Sequence, residues 1–155
     1  MRLKSVAALI GILLMTVTGL LGGEPNPPKM DLALLKGRFT VCRLAPKAKV
    51  PAWALEGGAF VSVTRTRDEL SVLCPEGQVP EGVKQEKGWR AFKVAGPLDF
   101  SLTGILLSLA DPLARAGVSI YAVSTYDTDY VFVKEQKLDQ ARQALLGAGH
   151  RIKEE

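Results

Sequence analysis

Two consecutive stretches decide the fold of this chain: GPLDFSLTGILLSLADPLARAG (96–117) and VSIYAVSTYDTDYVFV (118–133). In the first stretch, apolar residues recur at helical spacing over residues 101–116, namely Ile105, Leu106, Leu109, Leu113 and Ala116. This is the pattern of a helix with one buried face. Gly117 then marks the end of that helix. The second stretch has two apolar runs around a polar turn, which is typical of a hairpin. Together they predict a helix followed by two antiparallel strands.

The flanking segments extend this pattern to a β-α-β-β-α-β order over residues 88–155. Residues 89–94 alternate apolar and polar side chains, as a strand does. Residues 136–148 repeat the helical pattern, and residues 150–153 form a short last strand. Two helices on one face of an antiparallel sheet form the ferredoxin-like arrangement. Pro112 lies inside the first helix, where it removes a backbone hydrogen bond, so a kink or a break is expected there.

The first half of the chain, residues 30–87, repeats this order in a degraded form. Strand patterns occupy residues 38–44, 60–66 and 70–74, whereas residues 51–55 suffice for one helical turn only. A loop replaces the other helix. We therefore predict an α+β protein of tandem ferredoxin-like units, with antiparallel sheets, helices on one face and a degenerate first unit.

Residues 1–29 differ in kind from the rest. Arg2 and Lys4 precede an apolar run, and a segment rich in glycine and proline follows it. This is the layout of a signal peptide or a short membrane anchor. The alternative is that Met30 is the true start, because the folded pattern begins just after it. The protein is cytoplasmic on the second interpretation, and exported or membrane-anchored through residues 1–29 on the first.

Composition and charge exclude several classes of protein. The chain is 47% hydrophobic and 23% charged, which is typical of a globular protein. Its net charge of +4 falls to +2 without residues 1–29, which hold three cations and one anion. This surplus is small, and the sequence shows no row of strand aromatics flanked by basic residues. No nucleic-acid partner is therefore expected.

The cysteines and the single histidine do not indicate a metal site. Cys42 and Cys74 lie in predicted strands and are expected to be buried free thiols in a reducing compartment, or a cross-strand disulfide if the chain is exported. Together with His150 they lack the ligand spacing of a zinc site, so neither a metal nor a cofactor is expected. His150 follows the end of the second helix and is expected to be a capping or surface residue.

The start of the 101–116 helix is one half of a candidate site. Asp99, Ser101 and Thr103 are all able to cap the free amides there. The functional alternative is that the amides of residues 103–105 receive the carboxylate of a small ligand, with Gly104 allowing close approach of the backbone.

The hairpin turn, residues 124–129, is the other half. It carries two carboxylates, three serine or threonine hydroxyls and no glycine, unlike an ordinary tight turn. Asp127 is expected to serve the turn, and Asp129 to pair with an ammonium or guanidinium group. Two neighbouring carboxylates also suggest acid–base catalysis or a divalent cation, but no His, Lys or third acid completes such a site in this stretch.

These motifs resemble the CASTOR-type branch of ACT domains. The resemblance covers nearly all of residues 30–155 and is carried in the second unit by GPLDF (96–100), TGI (103–105), GVSI (117–120) and STYDTDYVFV (124–133). In the first unit it is carried by GRFTVCRL (37–44), PAWAL (51–55) and SVTRT (62–66). The boundary between the units is expected between residues 87 and 88.

The resemblance implies a non-catalytic regulatory module that binds an amino acid or a similar effector, often at an interface between ACT units. The residues assigned to the effector are Thr103, Gly104, Ile105, Ser124, Thr125 and Asp129. Open edge strands further predict a homodimer. Two alternatives stay open: an interaction or dimerisation module without a metabolite ligand, and an enzyme that uses the Asp127/Asp129 pair. The sequence does not name the amino acid.

Overall fold

A computed structural model of the protein describes residues 27–155. The predictions for residues 1–26 lie outside that range. No helix within residues 27–155 is both long enough and apolar enough to cross a bilayer.

The described chain contains eight strands and two α-helices. The strands are β1 (Asp31–Leu34), β2 (Phe39–Leu44), β3 (Ser62–Arg65), β4 (Leu70–Pro75), β5 (Gln85–Val94), β6 (Ile120–Ser124), β7 (Asp129–Lys134) and β8 (Arg151–Glu154). The helices are α1 (Ile105–Arg115) and α2 (Leu138–Gly147). Short 3-10 turns occupy Ala52–Leu55, Glu76–Gln78 and Glu135–Lys137. The predicted α+β class and the β-α-β-β-α-β order of the second half are confirmed.

All eight strands form one sheet around the ten-residue strand β5. One edge of β5 pairs with β2 and, further along β5, with β1. The other edge of β5 pairs with β7, and β7 pairs in turn with β6. On the far side of β2 lie β4 and β3. Among these ladders only the β1–β8 pair is parallel. Because β5 contacts strands of both halves, it joins them into a single continuous sheet.

Strand β1 was not predicted from the sequence, and it connects the two halves directly. It pairs with β5 on one side and with β8 on the other. Leu32 and Leu34 on this strand are buried in the same core as the helices. Four residues are too few for periodicity to reveal a strand. The boundary expected before residue 88 falls inside β5, and a division of the chain at that point stays an expectation.

Both helices cover one face of the sheet, as predicted. Helix α1 buries Ile105, Leu109 and Leu113 at four-residue spacing, and α2 buries Ala141 and Leu145 beside them. Apolar burial at this spacing is what holds a short helix in place.

The predicted apolar stripe also included Leu106, and that part is wrong. The side chain of Leu106 is 37% exposed. It lies off the buried face because residues 105, 109 and 113 already fill the face that meets the sheet.

The break allowed for at Pro112 does not occur, since α1 continues through Pro112 to Arg115. Pro112 has no N–H for the carbonyl of Ser108 one turn earlier. That carbonyl instead lies 2.9 Å from Nε2 of His150. The expectation for His150 is also wrong, because its side chain is buried rather than capping or on the surface.

Cys42 and Cys74 are buried free thiols on the neighbouring strands β2 and β4, which is the first of the two arrangements expected from the sequence. Burial raises the pKa of both thiols, and that of Cys74 rises to about 12. Thiols with so high a pKa are almost entirely protonated at neutral pH and react slowly.

Candidate functional site

A pocket of about 300 Å³ lies between the start of α1 and the β6–β7 connection. It is lined by Leu98, Asp99, Phe100, Leu102, Gly104, Ile105, Leu106 and residues 124–129. Every lining residue belongs to the stretch from which the fold was first predicted. The pocket is therefore built within the second half of the chain.

The start of α1 presents backbone amides without a side-chain cap. Gly104 precedes the helix with φ of +79°, a left-handed conformation that glycine adopts without strain. The first bond of the helix runs from the Ser108 N–H to the Gly104 carbonyl at 2.8 Å. The N–H groups of residues 105–107 thus have no partner within the helix. Such a helix end favours an anion.

The expected caps are engaged elsewhere or absent. Asp99 Oδ1 accepts hydrogen bonds from the backbone N–H of Ser101 at 2.8 Å and from its hydroxyl at 2.6 Å. The Ser101 hydroxyl and backbone N–H hold the pKa of Asp99 below its usual value. Asp99 therefore stabilises its own turn as a carboxylate and leaves the helix amides free. No side-chain oxygen within the described residues caps α1.

On the opposite side of the pocket, Ser124 and Asp129 face each other as the last pair of the hairpin. The Ser124 hydroxyl donates to Oδ1 of Asp129, which leaves Oδ2 free for another donor. Thr125 closes the turn, since its N–H and its hydroxyl both donate to the Thr128 carbonyl, at 2.8 and 2.9 Å. Thr128 is buried and its hydroxyl donates to the Val94 carbonyl at 2.6 Å.

A close backbone contact fixes the two sides of the pocket relative to each other. The Leu98 N–H donates to the Asp127 carbonyl at 2.8 Å. A Cβ added at Gly96 would lie 2.7 Å from that same oxygen. Only glycine fits at residue 96, because a real Cβ does not approach a backbone atom so closely. The turn that leads to α1 is thereby held against the hairpin.

The pocket is acidic. Asp99, Asp127 and Asp129 line it, and neither lysine nor arginine does so in the part of the chain that the structure describes. Phe100 and Tyr126 form an edge-to-face pair at its mouth, with ring centroids 5.0 Å apart. A ligand with at least one positive charge suits this lining.

The structure brings together five of the six residues assigned to the effector. Gly104, Ile105, Ser124, Thr125 and Asp129 line the pocket, whereas Thr103 does not. Ile105 contributes its amide, because its side chain is buried in the core. Binding of an effector by any of the six stays a prediction.

Sequence reasoning missed the apolar part of the lining, which is Leu98, Phe100, Leu102, Leu106 and Tyr126. The one indication of them in the sequence was that this region holds more apolar residues than a single buried helix face requires.

A larger cavity of about 880 Å³ opens beside the two helices, lined mainly by alanine, proline and leucine, with Asp111 and Arg115 at its edge. His150 lies in its lining, but both ring nitrogens are occupied: Nδ1 accepts from the Met30 N–H at 3.1 Å, and Nε2 meets the Ser108 carbonyl. This cavity therefore offers no free histidine nitrogen. Within residues 27–155 no group of three or more His, Cys, Asp or Glu side chains is arranged to hold a metal ion.

Comparison with known proteins identifies the family. A family model of the ACT domain matches residues 84–146, and a second one, described as an N-terminal domain, matches residues 37–82. A protein from Agobacterium tumefaciens with a known crystal structure is 41% identical in sequence to this chain, and the two structures superpose with a TM-score of 0.78. The match covers 83% of this chain and 95% of that chain. The chain belongs to the ACT-domain family.

Two further matches are more distant. The human cytosolic arginine sensor for mTORC1 subunit 1 is 36% identical over 58 residues, which is 37% of this chain and 18% of the sensor. This chain thus matches less than a fifth of the sensor's length. Aspartate kinase from Clostridium acetobutylicum superposes with a TM-score of 0.58 at 14% identity, over 83% of this chain and 36% of the kinase. At that identity the likeness shows the fold alone.

Proposed function

We propose that this protein is a non-catalytic regulatory module that binds a small effector of the amino-acid class in the pocket between α1 and the β6–β7 connection. One observation carries the proposal: uncapped helix amides face a turn whose Asp129 has a free carboxylate oxygen. An α-amino acid carries the complementary groups, a carboxylate for the amides and an ammonium for Asp129.

The size and charge of the pocket narrow the class of effector. A volume of about 300 Å³ is at the lower end of the range for small-molecule sites, roughly 300–1,000 Å³, which suits a single amino acid. Its carboxylates favour an effector with a second positive charge, such as L-arginine or L-lysine. The relation to a protein named as an arginine sensor supports the same choice.

The whole pocket lining comes from the second half of the chain, so we place the effector within one ACT unit rather than between two.

Strands β6, β3 and β8 each have one edge without a partner strand in the described chain. These edges support the expected homodimer. Sedimentation at tens of micromolar would test it, because a stable interface of roughly 1,600 Å² holds at that concentration.

A thermal-shift screen of the full chain against the common amino acids tests the proposed function. An effector at 100 times its dissociation constant adds about 2.7 kcal/mol to stability, which raises Tm by roughly 5–10 °C for a domain of this size. We expect a shift with L-arginine or L-lysine, confirmed by calorimetry, and none with L-glutamate. If no amino acid shifts Tm or releases heat, the interaction-module alternative replaces the effector site.

A further inference from the structure

Exposed apolar side chains are concentrated at the mouth of the pocket. Phe100 is 77% exposed, Tyr126 81% and Leu102 52%, and Leu106 lies beside them. We call these four side chains, together with Asp99 and Asp127, the mouth surface. Clustered exposed apolar groups rimmed by charge mark sites of protein interaction.

The aromatic pair of the mouth surface is held by structure on both sides. Phe100 and Tyr126 belong to two different turns, and their rings meet edge to face at 5.0 Å. Those turns are joined by the hydrogen bond from Leu98 to the Asp127 carbonyl. Two aromatic rings presented in a fixed arrangement form the kind of anchor that dominates protein interfaces.

Charge is segregated along the chain around this surface. Residues 96–129 contain four aspartates and one arginine, which gives them a net charge of −3. The rest of the described chain contains seventeen lysines and arginines against eleven acidic residues, a net charge of +6. The pocket and its mouth therefore hold three carboxylates, whereas the described residues outside 96–129 carry a net positive charge.

We propose that the mouth surface docks a basic segment of another protein, in which apolar side chains that pack on Phe100 and Tyr126 are flanked by lysine or arginine. Charge complementarity with Asp99 and Asp127 selects this partner. A second copy packed on this surface about a two-fold axis would bring two acidic surfaces together. An anionic lipid surface would be repelled for the same reason. The proposal goes beyond the effector site and stands even if no amino acid binds.

A fluorescein-labelled peptide that alternates leucine and tryptophan with arginine and lysine tests the proposal by anisotropy with the full chain. We expect it to bind at least tenfold more tightly than an analogue with glutamate at every basic position. Phe100→Ser and Tyr126→Ser should each weaken binding at least fivefold. Asp127→Asn should weaken it and lower its dependence on salt, because one ion pair is lost.

The matched control is Leu55→Ser, which removes another exposed apolar side chain, 64% exposed and not part of the pocket lining. It should leave peptide affinity unchanged. An unchanged Tm shows that each variant is folded. The proposal is overturned by no measurable binding, by equal binding of the acidic analogue, or by full affinity in Phe100→Ser. It is also overturned if sedimentation shows a self-association that Phe100→Ser abolishes, since the occupant is then a second copy.

Discussion

His150 donates a hydrogen bond from Nε2 to the carbonyl oxygen of Ser108, the group that Pro112 leaves without its helical partner. A carbonyl only accepts, so the proton lies on Nε2, and Nδ1 is free to accept from the Met30 N–H at 3.1 Å. The buried imidazole thus joins helix α1 to the segment that leads into β1. Pro112, which removes a hydrogen bond from the helix, and His150, which supplies a replacement donor, lie 38 positions apart in the sequence.

Replacing His150 with alanine should lower the free energy of unfolding by about 2–4 kcal/mol, because the Ser108 carbonyl and the Met30 N–H lose their partner and a cavity forms. In a Pro112→Ala background the loss should be smaller by about 1 kcal/mol, since residue 112 then offers its own N–H to Ser108. Urea unfolding of the four proteins measures both effects. Equal losses in the two backgrounds would show that the Ser108 contact contributes little.

Replacing Asp129 with alanine should weaken effector binding by tenfold to a hundredfold. The change removes one charge-assisted hydrogen bond, worth about 1.5–3 kcal/mol. Calorimetry with L-arginine measures the change, and Asp68→Ala is the control, an exposed aspartate in the β3–β4 turn. Tm should change little, because within residues 27–155 the Asp129 carboxylate bonds only the exposed Ser124 hydroxyl. Wild-type affinity in the Asp129 variant would remove this residue from the site.

Replacing Gly104 with alanine separates backbone strain from loss of the site. The left-handed φ of +79° should cost about 1–2 kcal/mol of stability in any residue with a Cβ. Gly37→Ala is matched to it, because Gly37 has φ of +86° and open space around it, outside the pocket. Both variants should be destabilised alike, and only Gly104→Ala should bind L-arginine more weakly. An equal loss of affinity in both would point to strain alone.

Replacing Leu34 with alanine should destabilise the protein by about 2–5 kcal/mol, because this side chain of β1 is 2% exposed in the core beneath the helices. Lys36→Ala, two residues on and exposed, is the control and should stay within about 0.5 kcal/mol of wild type. Denaturant unfolding compares the three proteins. A small effect at residue 34 would mean that β1 is dispensable for the core of the second half.

The native thiols should be unreactive at pH 8. Burial raises the pKa of Cys74 to about 12, so almost no thiolate is present to attack a disulfide reagent such as DTNB. Stability should fall as pH rises from about 9 towards 12, because the unfolded chain releases the thiol proton in that range while the folded chain retains it. Cys74→Ala should reduce this alkaline loss. Rapid labelling of the native protein at pH 8 would contradict the burial of both thiols.

Local periodicity in the sequence was enough to predict the second half of the fold. Helix α1 has apolar residues at helical spacing, which reflects burial on one face, and β6 and β7 are two apolar runs on either side of a polar turn. The polar turn at residues 124–129 and the glycine before α1 could also be recognised in the sequence, because their residue types depart from those of ordinary turns and caps. Five of six assigned site residues therefore line one pocket.

Only the tertiary structure decided the rest. Strand β1 is four residues long and exists because β5 and β8 supply hydrogen-bond partners on both its sides. His150 is buried because Pro112 leaves a carbonyl free on a neighbouring helix, which no local pattern records. Leu106 and Phe100 line the pocket because other residues already fill the core. Sequence periodicity thus determined which elements form, and long-range pairing decided how they join, because such contacts depend on partners distant in the chain.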